Sequence, residues 1–186
     1  KDDDEKQTTK GIGIIETHQI NDVDKYRAVI LCKVAMSIPA EAATTKGESI
    51  EWQTKEIEGT VNRSDENTKN YKHPWKREAW FDTHAEAMEY LKTMLNALEE
   101  VTATSAAGSS AGQTVITITN QVEGATYKYS TDGPVKTYKQ DLTSWTALTP
   151  GEAITVSDGA TVYIAQADST GKAVGAGSVK AVVNEE

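Results

Sequence analysis

The sequence predicts a mostly β, α+β protein: a strand-rich β-sandwich or barrel part with one packed helix, then a small β-sandwich. Three observations carry this expectation. Residues 26–38 alternate between an apolar and a mixed set of side chains, the period of a strand. One amphipathic helix signature follows Thr83. Beyond residue 100 the composition shifts to Thr, Ala, Val, Gly and Ser, with turn signals about every eight to twelve residues.

The chain has 186 residues, room for one large domain or two small ones. Its hydrophobic share is 38%, and Phe occurs once beside seven Tyr and four Trp, which suits thin β-layers better than one thick core. The net charge is −9. An acidic surface argues against gripping nucleic acid, which takes clustered Lys and Arg, but it lets DNA slide past. Cys32 is the single cysteine, so neither an internal disulfide nor a cysteine-based zinc site is expected, in keeping with folding in a reducing cytoplasm. No stretch approaches the roughly 18 consecutive apolar residues of a membrane span. Residues 1–10 are polar, unlike a secretory leader.

Residues 1–100 carry 14 basic and 20 acidic side chains, and residues 101–186 carry 5 and 8. That contrast places a first domain at 1–100 and a second at 113–186. Residues 101–112, rich in Ser, Ala and Gly, read as a linker or an irregular first strand.

In the first domain, Tyr26, Ala28, Ile30, Cys32, Val34, Met36 and Ile38 form the dry side of the strand at 26–38. Arg27, Val29, Leu31 and Lys33 give the other side a mixed character, and Pro39 ends the strand. Residues 49–54 and 57–61 read as extended, with Gly59 as a bulge. Residues 65–73 read as a polar loop and 75–82 as a short strand. Thr83 is an N-cap, and Glu86 three residues on completes a capping box. Met88, Leu91, Leu95 and Leu98 then form a narrow apolar stripe, so a helix at about 84–99 is expected to pack on one face of a sheet.

In the second domain, residues 114–119 alternate Thr with Val and Ile, and Tyr127 and Tyr129 alternate with Lys128 and Ser130. Residues 131–134 form a turn signal. Strands at 154–156, 161–167 and 174–183 follow, joined by turns at 157–159 and 168–171. The pattern is that of a small sandwich.

The residues offer little chemistry. His18, His73 and His84 belong to no spacing diagnostic of a metal site and read as surface residues. Cys32 reads as a buried, inert thiol. Gly11-Ile12-Gly13 lacks the third glycine and the helix of a dinucleotide loop. Lys46-Gly47 and Thr170-Gly171-Lys172 lack phosphate-loop spacing and read as turns. Asn62-Arg63-Ser64 matches a glycosylation acceptor with no sign of secretion beside it. Residues 2–5 form an acidic run of the solvated, terminal kind. No catalytic, cofactor-binding or metal-ligating residue is assigned. Trp145 and Tyr138, with Tyr127 and Tyr129, are the candidates for a ligand platform on which a sugar would stack. The competing reading, which the scarcity of large apolar residues favours, makes Trp145 the core aromatic of the second domain.

A stretch at 45–61 carries a resemblance: Thr45-Lys46-Gly47-Glu48-Ser49-Ile50-Glu51-Trp52-Gln53-Thr54, then Ile57-Glu58-Gly59-Thr60-Val61. It resembles the major tail protein family of long-tailed phages of Gram-positive bacteria. The strand from Lys25 to Val34 and the later order of a strand ending Phe81-Asp82 before the Thr83-capped helix resemble the same family. The likeness spans about residues 8–100 and corresponds to the second half of the tube domain. Residues 101–186 resemble the immunoglobulin-like extension of such proteins, on Tyr127-Lys128-Tyr129, Trp145-Thr146, Ile154-Thr155-Val156, and Ala165 to Asp168 followed by Gly171 to Val174.

The resemblance implies a virion structural protein rather than an enzyme, assembled in the host cytoplasm and carried in the phage tail. Its partners would be further copies in hexameric rings, other tail proteins, DNA passing without specific binding, and weakly a host-surface glycan. No cofactor and no membrane are implied. The alternative is a bacterial surface or adhesion module working through its second domain.

Overall fold

The structure, a computed structural model, describes residues 9–37 and 58–185. The expected strand at 49–54, the acidic run at 2–5 and most of the 45–61 stretch lie outside these residues. The chain is mostly β with one helix among the described residues, and it divides into two compact units, Lys1–Leu91 and Lys92–Glu186. The division precedes the change of composition near residue 100.

The first unit is built on a long hairpin. Strand β1 (Thr9–Ile20) pairs antiparallel with β2 (Val23–Met36). Asn21 and Asp22 join them at φ 51 and 62. Two left-handed residues make a type I′ turn, whose twist matches the flanking strands. The register slips between Lys10 and Ile12, at Gly11. On its other side β2 pairs with β3 (Gly59–Asn62) and β4 (Lys76–Phe81). Gly59 is therefore not a bulge: it sits in regular register opposite Met36. A Cβ there would lie 2.9 Å from Val34 Cγ1, so the glycine serves close approach.

Helix α1 (His84–Leu95) starts as its capping box predicts. Glu86 N–H donates to Thr83 Oγ1 at 3.2 Å, and Thr83 N–H donates back to Glu86 Oε2 at 3.1 Å. The helix ends earlier than the expected residue 99, because Asn96 turns left-handed at φ 53. Its covered stripe is also rotated from the expected one. Ala87 and Leu91 are buried while Met88 is 38% exposed. The rotation follows from the sheet beneath: the Tyr90 ring lies 5.3 Å from Phe81, and the His84 ring 5.7 Å from Tyr26. Tyr26 and Phe81 are cross-strand neighbours. The helix therefore covers the dry face of β2, where Ala28, Ile30 and Val34 are buried as the alternation predicts; Met36, expected on that face, is 39% exposed, and Val29 on the mixed face is buried as well.

The second unit holds strands β5 (Glu99–Glu100), β6 (Ala103–Ala107), β7 (Gln113–Ile118), β8 (Thr126–Ser130), β9 (Thr146–Leu148), β10 (Ala153–Thr155), β11 (Thr161–Ala167) and β12 (Ala173–Lys180). They form a three-stranded sheet, β10-β7-β6, and a five-stranded sheet, β5-β12-β11-β8-β9. Of the two readings of 101–112, the strand prevails: β6 pairs with β7, and Val101 is buried in the core. Ile116 and Ile118 of one sheet meet Tyr127, Leu148, Val162 and Ile164 of the other. Alternation on β11 sends Ala165 and Ala167 to the opposite face. There Val135, Leu142 and Trp145, from the long β8–β9 connection, cover them.

Candidate functional site

Strand β1 is the outer strand of its sheet, paired only with β2 among the described residues. It is 12 residues long, contains no proline and carries its few charges at Lys10, Glu16 and, when protonated, His18. Such an edge presents a row of unpaired N–H and C=O groups. Its geometry can be counted from the turn. In a two-residue hairpin the closing pair, Ile20 and Val23, exchanges both hydrogen bonds, and the pairs then alternate. The N–H groups of Gly13, Ile15, Thr17 and Gln19 therefore point away from β2.

The sheet face opposite α1 has a distinct character. Register places Glu16, Arg27 and Trp80 side by side across β1, β2 and β4, with Ile14, Val29 and Glu78 in the next row. Arg27 donates to Glu16 at 3.2 Å and also to Glu78, and Lys76 lies 2.8 Å from Glu78. Lys76 and Arg27 together hold the Glu78 carboxyl down to about 2. Hydrogen bonding to Glu78 in turn pushes the Arg27 guanidinium up. The Trp80 ring lies 4.9 Å from the His18 ring, tilted by 55°, with the Arg27 guanidinium 5.9 Å from its centre. It stays 50% exposed, and Ile14, Ile20 and Val23 are 43–54% exposed.

This is the mixed face of β2. The ordered charges, the half-open indole and the bare strand edge equip it for contact with another surface. Val29 and Leu31 were legible on this face from the sequence, whereas β1, Glu16, Glu78 and Trp80 were not. Asn21-Asp22 between two alternating runs was the signal that could have found the hairpin.

The remaining candidates fall elsewhere. Tyr138 is buried at 9% exposure, its N–H donating to Asn96 Oδ1 at 2.6 Å. Trp145 is half-buried against the Val135 and Leu142 cluster. Tyr127 is buried, its hydroxyl accepting the Val122 N–H at 3.0 Å. These placements are those of packing aromatics. His73 Nδ1 lies 3.0 Å from Ser64 O within the 63–75 loop, and His84 lies against Tyr26. Cys32 is half-buried, and burial pushes its thiol up. No helix among the described residues is long and apolar enough to cross a membrane. No family model matches the chain, and no curated protein and no solved structure shows a significant match to it.

Proposed function

We propose that this chain is a structural subunit of a phage tail tube, with the first unit as part of the tube domain and the second as an immunoglobulin-like domain displayed on it. The role is assembly in the virion, not catalysis. One observation carries the reading: a 12-residue edge strand with one partner among the described residues, beside a sheet face of ordered ion pairs and a half-exposed Trp80. A monomer with such an edge risks unwanted pairing, whereas a subunit that closes into rings uses it. The tail-protein resemblance of 45–61 and the acidic balance of the chain agree with a tube through which DNA passes without sticking.

Negative-stain electron microscopy of the full-length protein at high concentration, with chemical cross-linking, tests this. Rings or tubes with a central channel, and cross-linked multiples up to the hexamer, are expected. A strictly monomeric protein would overturn it. A second reading, a surface-binding module, draws on a cleft of about 380 Å³ in the second unit, lined among others by Tyr129, Asp132, Thr146 and Thr155.

A further inference from the structure

We infer that Asp132-Gly133, in the turn after β8, is a modification site: it converts spontaneously to isoaspartate in the folded protein, while the chain's other Asp-Gly pair, Asp158-Gly159, is shielded by its hydrogen bonds. The inference concerns two turns of the second unit and does not rest on the tail-tube reading.

The chemistry needs only the chain and water. The backbone nitrogen that follows an aspartate attacks the side-chain carboxyl carbon. An N–C bond forms, the protonated carboxyl gives up its hydroxyl, and that hydroxyl leaves with the amide proton as water. The product is a cyclic succinimide. Water then opens the ring. Attack at the side-chain carbonyl restores aspartate, and attack at the main-chain carbonyl leaves the peptide running through the β-carboxyl. No electrons are transferred and no co-reactant is consumed. Glycine in the second position favours the attack, because no Cβ crowds its nitrogen and its backbone turns freely.

The sequence holds two Asp-Gly pairs and no Asn-Gly pair. The fold treats the two differently. Asp132 is exposed, and neither its carboxylate nor the Gly133 N–H hydrogen-bonds any described residue. Asp132 N–H donates to Ser130 Oγ at 3.1 Å, which leaves both reacting groups untouched. A Cβ at Gly133 would meet nothing within 4 Å, so the space beside the attacking nitrogen is open. Pro134 comes next and has no N–H with which to anchor the turn.

Asp158-Gly159 is tied down at both reacting groups. Gly159 N–H donates to Ala181 O at 3.0 Å, and Asp158 Oδ1 accepts the Val183 N–H at 3.3 Å. Ala160 N–H donates to Ser157 O at 3.1 Å and Ala181 N–H to Ala160 O at 2.9 Å, which fixes the same turn against the segment after β12. Ring closure there requires the carboxyl to release Val183 and the amide to release Ala181. Breaking even one such hydrogen bond costs about 1 kcal/mol, roughly a fivefold slower reaction. At Asp132 nothing has to be broken. The product there adds a methylene to the main chain between β8 and Val135, whose side chain is buried with Leu142 and Ala165.

The test is ageing of the full chain at neutral pH, below its melting temperature, in water enriched in heavy oxygen. Peptide mapping with electron-transfer fragmentation then separates isoaspartate from aspartate at each pair. A parallel sample in concentrated urea reports the reactivity of each pair without the fold. In the folded protein, isoaspartate carrying heavy oxygen is expected at 132 at least about fivefold faster than at 158. In urea the two rates should converge. Gly133→Ala, whose Cβ has room, should keep the fold and suppress the product at 132 by crowding the nitrogen. The inference is overturned if the folded protein forms no isoaspartate at 132, if 158 reacts as fast as 132 in the folded protein, or if the same ratio persists in urea, which would assign the difference to local sequence.

Discussion

Arg27 on β2 hydrogen-bonds the carboxylate of Glu78 on β4, one row away along the open face of the first sheet. Because Lys76 and Arg27 favour the charged carboxylate, Glu78 titrates at about 2 rather than at its usual 4.5. The unfolded chain therefore binds the proton more readily than the folded one between those values. The stabilising contribution is complete above 4.5 and is lost as pH falls through about 2. Urea titrations at neutral pH and at about pH 3 should show acid destabilisation of the first unit that shrinks in Glu78→Gln. An identical acid response in the variant would show that the triad contributes nothing measurable, as many exposed ion pairs do.

Gly177 on β12 lies under the backbone of the segment that enters the second unit. A Cβ there would fall 1.8 Å from the Val101 carbonyl oxygen. That carbonyl cannot rotate aside cheaply, since Val101 N–H donates to Ala176 O at 2.9 Å and fixes the local chain. Gly177→Ala should destabilise the second unit by about 1–3 kcal/mol or more, the range of overpacking. Gly133 has nothing within 4 Å and no left-handed backbone, so Gly133→Ala is the neutral control. Equal melting temperatures for the two variants would disprove the close approach.

Asn96 combines two tasks after the helix. Its backbone adopts φ 53, and its side chain accepts from Tyr138 N–H at 2.6 Å and donates to Lys136 O at 3.0 Å. Asn96→Gly keeps the backbone conformation and loses both hydrogen bonds, a cost of about 1–3 kcal/mol if the Tyr138 N–H is left unpaired. Asn96→Ala adds the strain of a left-handed Cβ, roughly 1 kcal/mol more. The expected thermal order is Asn, then Gly, then Ala. An alanine variant as stable as the glycine one would remove the backbone part of the account.

What the sequence made legible follows from where local chemistry decides structure. Thr83 and Glu86 predicted the helix start because a capping box is satisfied within four residues. The alternation at 26–38 identified the face that α1 covers, with Ala28 and Ile30 buried on it. In the first turns of the helix Ala87 rather than Met88 is covered, because the packing of Tyr90 on Phe81, a tertiary contact, chose the covered side, while Leu91 is buried as expected. Strand β1 was missed because Gly11 and Gly13 carry no side chain to show the alternation of a strand, and only pairing with β2 makes the segment extended. The cleft in the second unit was hidden for the same reason: its walls come from residues near 130, 145 and 156, which meet only after the chain changes sheets.

The edge of β1 offers the sharpest test of assembly. Thr17 pairs opposite Tyr26 at a position whose N–H points away from β2. Thr17→Pro removes that outward donor and leaves the β1–β2 ladder its own hydrogen bonds, since proline is tolerated on an edge with its nitrogen toward solvent. His18→Pro, one residue on, would instead remove a donor from the ladder and weaken the hairpin itself. If rings form by pairing along this edge, Thr17→Pro should give folded subunits that sediment as monomers under conditions where the parent assembles. A folded Thr17→Pro protein that still formed rings would move the contact from the strand edge to the face of Trp80 and Ile14, where Trp80→Ala becomes the variant that breaks assembly.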